Sequence, residues 1–138
     1  MTMTFDTKIA VVLRDDLPVW QKLNATAFTV SGIAAKIEDV TGEPYEDGSG
    51  HRYLPMFKQP VLVFSADAGE IRRAYDRARE RNLVFSLFTE ELFATGNDID
   101  NRAAMKAVPT EDLRIVGLAL RAEKKAVDKV LKGLSLHR

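Results

Sequence analysis

Four segments of the chain are almost continuously apolar, and the stretches between them repeat apolar residues at helical spacing. The four segments cover residues 7–13, 60–65, 83–88 and 113–120. Their β-branched and aromatic composition is typical of strands that are buried on both faces. Gly117, inside the last segment, predicts a bulge or a close approach of neighbouring backbone. Strands that alternate with helices in this way predict a three-layer α/β/α sandwich around a four-stranded, mostly parallel (mixed) sheet.

The helix predicted over residues 17–37 is apolar nearly all round. Asp16 is its expected N-cap, and Pro18 suits its first turn. An inward stripe at helical spacing consists of Val19, Leu23, Val30, Ala34 and Ile37, with Trp20 and Ala27 beside them. The opposite side carries Ala25, Phe28, Gly32 and Ala35. Because this side also needs cover, we expect either the turn-rich excursion over residues 38–58 or the partner subunit of a homodimer to pack against it.

Two later helices have clear end signals. Asp67 and Glu70 form a capping-box pattern at the start of a helix that runs to about Asn82. Asparagine suits a left-handed C-cap, which explains why the helix should end there. The last helix is expected to end near Gly133 for the same conformational reason.

Length and composition exclude several classes of protein. With 138 residues, 46% of them hydrophobic, the chain predicts a single domain over residues 1–138. Acidic and basic side chains are equal in number, 20 of each, and leave no net charge to attract DNA or a membrane surface. The absence of cysteine excludes disulfides and thiolate chemistry. Because no leader and no apolar run of roughly 20 residues is present, we expect a cytoplasmic protein.

The charge is distributed unevenly along the chain. Residues 1–69 hold 6 basic and 9 acidic side chains, whereas residues 70–138 hold 14 basic and 11 acidic ones. Five arginines lie within ten positions of the second half: Arg72, Arg73, Arg77, Arg79 and Arg81. A basic patch of this kind is compatible with a tRNA phosphate backbone. The alternative is a solvated helix face that neighbouring acidic residues balance.

Common catalytic and cofactor motifs are missing from the chain. The turn at residues 47–50 lacks the lysine of a phosphate-binding loop, and the junction after the first strand lacks the glycines of a dinucleotide fold. Only two histidines are present: His51 lies in the 38–58 excursion, and His137 is expected to be frayed. We therefore expect no metal site and no cofactor.

One constellation of polar residues lies on the first predicted helix. Lys22, Thr26 and Thr29 recur at a spacing that puts them on one flank, beside the apolar stripe. Ligands of open α/β sheets bind beyond the carboxyl ends of strands, where Arg14 ends the first strand. A lysine held there can stabilise a developing anion. The alternative is a lysine that lays its stem along the helix and keeps its charge in water.

The first strand and helix also carry a family resemblance. Residues 8–13 are followed by Arg14-Asp15-Asp16-Leu17 and a helix of small residues, an order that resembles the start of the type II peptidyl-tRNA hydrolases. The later apolar segments follow in the same order, so that the resemblance covers most of the chain. Residues 20–28 and 53–55 are similar to an uncharacterised bacterial family of that same fold.

The resemblance implies a peptidyl-tRNA hydrolase II-like fold, a dimer and a site at the end of the first strand. Arg14 and Asp16 match directly, and Lys22 matches the family's catalytic lysine once one residue is deleted before it. The family's glutamine and histidine in that helix and its Asp-Ala-Gly-x-Thr segment are absent. We predict a binding domain for a small anionic ligand or tRNA; the alternative is a hydrolase of the peptidyl-tRNA ester. The catalytic candidates are Lys22, Arg14 and Asp16, and the binding candidates are Asn24, Thr26, Thr29, Arg73 and Arg77.

Overall fold

The computed structural model of the protein describes residues 5–138. The described part contains a five-stranded sheet, a two-stranded hairpin and four α-helices. In chain order the elements are β1 (Thr7–Arg14), α1 (Val19–Lys36), β2 (Tyr45–Glu46), β3 (Arg52–Tyr53), β4 (Val61–Ala66), α2 (Ala68–Glu80), β5 (Phe85–Thr89), α3 (Asp98–Lys106), β6 (Ile115–Glu123), α4 (Lys124–Val130) and β7 (Ser135–Leu136). Short 3₁₀ turns span Glu90–Ala94 and Thr110–Asp112.

The sheet is mixed, with strand order β5-β6-β1-β4-β7. Only β1 and β4 are parallel, whereas the other three neighbouring pairs are antiparallel. The prediction of four mostly parallel strands is therefore wrong in strand number and direction. An apolar run indicates that a strand is covered on both faces, but a central antiparallel strand meets the same requirement as a parallel one. The extra strand, β7, has two residues and leaves no periodic signal.

Helices cover both faces of the sheet. Along β1, Ile9, Val11 and Leu13 face α1, while Ala10 and Val12 face α2 and α4. This alternation follows from the two-residue period of a strand, and it separates the apolar core into two clusters. The predicted α/β class is confirmed.

The end signals of the later helices are confirmed, but the start of α1 differs from the prediction. Asp67 and Glu70 form the complete capping box of α2, and Asn82 adopts a positive φ of 55°. Gly133, after α4, has a φ of 88°. Pro18, not Asp16, is the N-cap residue of α1 and makes no side-chain cap bond. The carboxylate of Asp16 instead bonds Arg14.

The face of α1 that packs on the sheet differs in part from the predicted one, since Val30 and Ile37 of the expected inward stripe pack against the core but Val19 and Leu23 do not. Its buried residues are Ala25, Thr29 and Ile33. The helix lies so close to the sheet that a Cβ built on Gly117 would meet the Cβ of Ala25 at 3.4 Å. At this crossing a small residue of the helix meets a glycine of the sheet, whereas the larger Ile33 packs further along. Val19, Trp20 and Leu23 face outward and are exposed.

The 38–58 excursion does not cover α1. Its base packs on the α1 side of the sheet through Val40 and Phe57, and the chain between them forms the β2–β3 hairpin. Four large residues of this segment are exposed, namely Tyr45, Tyr53, Leu54 and Met56. Of the two covers expected for α1, the excursion is excluded by this arrangement.

Gly117 lies at the predicted bulge. The register of β5 and β6 shifts between the pairs Phe88–Gly117 and Thr89–Ile115, so that one extra residue of β6 lies between them. The absent side chain of Gly117 leaves room for Ala25, Leu13 and Phe88. The predicted bulge is confirmed, whereas the neighbours of this glycine are side chains at ordinary contact distance and not backbone.

We expect Gly117→Leu to lower the free energy of unfolding by about 2–3 kcal/mol, because the new side chain overpacks the α1 interface. Gly117→Ala, whose Cβ meets neighbours only at ordinary contact distance, should cost less than about 1 kcal/mol. Chemical denaturation measures both values. Gly48→Ala is the control, since nothing lies within 4 Å of a Cβ there. A Gly117→Leu protein as stable as the wild type would contradict the close approach of α1.

Candidate functional site

Lys22 and His137 meet at the edge of the sheet. Strand β7 pairs with β4, and the backbone N–H of His137 donates to the Val63 carbonyl at 2.8 Å. This pairing brings the His137 ring to α1, where its Nε2 lies 3.0 Å from the Nζ of Lys22. The expectation of a frayed His137 is therefore wrong, because a backbone hydrogen bond and a side-chain contact both hold the residue.

The two contacts of the His137 ring define its hydrogen-bonding state. Nδ1 lies 2.8 Å from the main-chain oxygen of Arg138, an acceptor, and so carries the ring proton. Nε2 then has a lone pair and accepts a hydrogen bond from the ammonium of Lys22. The ring therefore lies between the ammonium of Lys22 and the main-chain oxygen of Arg138.

Lys22 is half-buried without a carboxylate partner among the described residues. Its amino group contacts the imidazole of His137, which carries no negative charge. The N-terminal turn of α1 beside it contains no acidic residue and no side-chain cap. No acidic side chain therefore pairs with the ammonium or with the first turn of the helix, where the helix dipole favours negative charge.

The other predicted residues of α1 have different surroundings. The Thr26 hydroxyl donates to the Lys22 carbonyl at 2.8 Å, and the Thr29 hydroxyl to the Ala25 carbonyl at 2.8 Å. Such bonds satisfy a hydroxyl within its own helix. Thr29 is buried in the core, whereas Asn24 is exposed. Of the three, Thr26 lies on the same flank as Lys22.

Arg14 and Asp16 belong to a separate ionic network at the carboxyl end of β1. Arg14 donates from Nε to Asp16 at 2.6 Å and from Nη1 to Glu90 at 2.5 Å. Burial opposes the charge of Arg14, but the bonds to the two carboxylates outweigh it and raise its pKa. No hydrogen bond or ion pair joins Arg14 to Lys22 within residues 5–138. The structure therefore does not bring the three catalytic candidates into one contact group.

Arg114, the residue directly before β6, also belongs to this network. It lies 3.3 Å from Glu90 and donates to Glu91 at 2.9 Å. A backbone hydrogen bond, which outweighs burial, and the bond from Arg114 lower the pKa of Glu91. The hydrogen bond to Glu91 in turn raises the pKa of Arg114. Together these ion pairs hold the 3₁₀ turn that follows β5 against the ends of β1 and β6.

The arginines of α2 are mostly engaged within the protein. Arg72 and Arg79 lie over the Tyr75 ring, with guanidinium carbons 4.9 and 5.7 Å from its centroid. Arg77 donates to the Lys132 carbonyl at 2.9 Å, beyond the end of α4. Arg73 is exposed. It borders a surface depression of about 270 Å³ together with Glu70, Arg77, Lys132, Gly133 and Leu134.

The β2–β3 hairpin is organised around Asp47. Its carboxylate accepts hydrogen bonds from the backbone N–H groups of Ser49 and His51 and from the Tyr53 hydroxyl at 2.7 Å. The bond from Tyr53 is the main reason that the pKa of Asp47 is lowered. The same bond raises the pKa of Tyr53. His51 contributes its backbone to this turn.

The described part of the chain holds no group of three or more acidic or histidine side chains that is arranged for a metal ion. Likewise, none of its helices is long and apolar enough to cross a membrane. What the described residues contain is an α/β scaffold with an unpaired lysine against an imidazole at one sheet edge and an ionic network at the end of β1.

Comparison with known proteins places the chain in a family. It belongs to the family described as protein of unknown function DUF2000, which matches residues 7–138. A solved structure, titled as that of the protein of unknown function Atu0240 from Agrobacterium tumefaciens str. C58, is 50% identical and has a TM-score of 0.94. The match covers 98% of this chain and 100% of that one. No curated protein matches the chain.

Sequence reasoning missed the residues that meet their partners only through the fold. His137 lies 115 positions from Lys22, and no motif links them. Glu90 and Glu91 have the pattern of turn and cap residues, although they bind Arg14 and Arg114. The available signal for this network is an adjacent acidic pair directly after an apolar strand.

We expect Glu90→Ala to lower the free energy of unfolding by about 1–2 kcal/mol, since it leaves the largely buried Arg14 with one carboxylate fewer. Arg102→Ala, which removes an equally short but exposed ion pair to Asp98, should change stability by less than about 0.5 kcal/mol. Urea denaturation compares the two variants. Equal effects would contradict a special role for the network at the end of β1.

The hairpin predicts a reciprocal pair of pKa changes. Tyr53→Phe should raise the pKa of Asp47 towards its ordinary value, and Asp47→Asn should lower the pKa of Tyr53. Because the pKa of Asp47 is lowered in the folded hairpin, its stabilisation is present above the ordinary aspartate range and is lost as the pH falls through the lowered value. NMR titration of both side chains measures this. Tyr45→Phe is the control and should leave Asp47 unchanged.

Proposed function

We propose that the protein is a binding domain for a small anionic ligand, which it holds at Lys22 and His137. The observation that carries the proposal is the 3.0 Å contact between the ammonium of Lys22 and the imidazole of His137, with no acidic side chain paired to the ammonium among the described residues. A half-buried cation is costly unless an opposite charge comes close to it. A bound anion would supply that charge.

The proposed ligand is a carboxylate or a phosphate of small size. Lys22 offers a compact charge with three donors, which suits an oxyanion. The nearby first turn of α1, with no acidic residue, favours negative charge as well. Thr26 lies on the same flank of α1, and its hydroxyl donates a hydrogen bond to the Lys22 carbonyl.

The second candidate is hydrolysis of the peptidyl-tRNA ester in a peptidyl-tRNA hydrolase II-like fold. One specific contact favours it: the imidazole of His137 lies 3.0 Å from the amino group of Lys22, and histidine is the side chain that most often moves protons in catalysis. Arg73, exposed on α2, would then contact RNA phosphates. Arg14 and Asp16 are bonded within the ionic network at the end of β1 and do not contact Lys22. This arrangement favours the binding domain over the hydrolase.

Titration with inorganic phosphate, followed by NMR of the histidine rings, tests the proposal. The chain has two histidines, so that His51 serves as an internal control. We expect phosphate to shift the His137 signals and to leave those of His51 unchanged. Lys22→Met should weaken binding by about 10- to 100-fold, the value of hydrogen bonds to a charged group. Lys36→Met, at the exposed end of the same helix, should leave binding unchanged.

Several outcomes would contradict the anion site. Equal shifts at His51 and His137 would indicate non-specific binding, and a Lys22→Met protein with wild-type affinity would exclude the lysine. Incubation of peptidyl-tRNA with the wild type and with His137→Gln separates the two candidates. Intact peptidyl-tRNA supports the binding domain, whereas cleavage that both Lys22→Met and His137→Gln abolish supports the hydrolase.

A further inference from the structure

The outward face of α1 carries no charged side chain from its first residue to Ala35. Its exposed positions are Val19, Trp20, Leu23, Asn24, Ala27, Phe28, Ser31, Ala34 and Ala35. The surface helix α2 shows the usual composition, since it exposes charged residues such as Arg73, Asp76 and Glu80. A helix face that is exposed to water along nearly its whole length and carries no charge is unusual in a globular protein.

The apolar area of this face matches what a stable homodimer requires. Val19, Trp20, Leu23 and Phe28 are 71%, 59%, 66% and 51% exposed. Together they present on the order of 400–500 Å² of mostly apolar surface. A standard interface buries about 800 Å² on each partner, and in homodimers about 65% of it is apolar. The required apolar area is thus about 500 Å², which the four large side chains and the neighbouring alanines provide.

The sequence of the face is complementary to itself in size. One stripe along it carries Val19, Leu23, Ala27 and Ala34, and the half-buried Val30 and Ile37 lie at its margin towards the core. If two copies of α1 pack antiparallel about a twofold axis near Phe28, Leu23 of one copy lies opposite Ala34 of the other. In the same register, Ala27 lies opposite Val30. Larger residues then face alanines at these central positions, as close packing between two helices requires.

We propose that two copies of this chain form an antiparallel, twofold dimer through the outward face of α1. A twofold interface uses the same surface on both subunits, so a self-complementary stripe is the pattern that it demands. Because α1 packs on the sheet through Ala25, Thr29 and Ile33, its outward face forms this surface. The dimer buries the exposed side chains of Trp20 and Leu23 and leaves the hairpin and α2 free.

Sedimentation velocity over roughly a hundredfold range of protein concentration tests the dimer, because self-association follows mass action. We expect the wild-type chain to sediment with twice the mass of one chain. Leu23→Glu and Ala34→Arg should each weaken association by at least about 30-fold, the effect of losing a central interface contact. Ile99→Glu is the matched control: Ile99 is also exposed, but on α3, and its variant should remain dimeric.

Mixing the two variants tests the register. Within a dimer of Leu23→Glu alone, the introduced carboxylate faces Ala34, and within a dimer of Ala34→Arg alone, the introduced guanidinium faces Leu23. In a mixed dimer these two opposite charges face each other at one end of the interface, and the other end keeps its wild-type contact. An equimolar mixture of the two variants should therefore restore dimers that neither variant forms alone.

Three results would overturn the proposal. The first is a monomeric wild type at every concentration, and the second is a dimer that resists both substitutions. The third is a mixture that stays monomeric, which would exclude the antiparallel register. Circular dichroism checks the fold of each variant, and since the two positions lie in different halves of α1, a folding failure of one leaves the other as a test.

Discussion

The close contact between α1 and the sheet is the constraint on which most of the structure depends. Gly117 of β6 has no side chain, and the Cβ of Ala25 occupies the space above it. Gly32 makes a closer approach to β5, where a Cβ would lie 2.6 Å from the Ser86 hydroxyl. Small residues occupy these two crossings, whereas the larger Ile33 packs inward further along the helix. The exposed apolar face of α1, which includes Val19 and Leu23, points away from the sheet.

The same constraint sets the position of Lys22. With Ala25 and Ile33 against the sheet, Lys22 lies at the margin of the inner face and reaches the sheet edge formed by β4 and β7. There it meets His137 instead of the Arg14 cluster. The two charged regions consequently differ in kind. The network around Arg14 and Glu90 is internally neutralised and holds a 3₁₀ turn, whereas Lys22 has no carboxylate beside it among the described residues.

The interpretation of α1 shows why helical periodicity alone misleads here. The stripe with Val19 and Leu23 contains larger apolar residues than the opposite side of the helix. Its pattern therefore predicts that this stripe faces the core. Periodicity reports where apolar residues lie on a helix, but it does not report how near the neighbouring sheet comes. The contact of Ala25 with the sheet is made at Gly117, about ninety residues away in the chain.

By itself the sequence determined the α/β class, the main strands, the capping box of α2 and the left-handed turns at Asn82 and Gly133. These features depend on residues within one turn or one strand, so that local chemistry specifies them. It also indicated Lys22 as a candidate site residue through its spacing to Thr26. Only the tertiary structure decided the strand directions, the inward face of α1 and the pairing of Lys22 with His137. Each of these brings together residues far apart in the chain, and their energies arise from packing and hydrogen bonds that exist only once the sheet has formed.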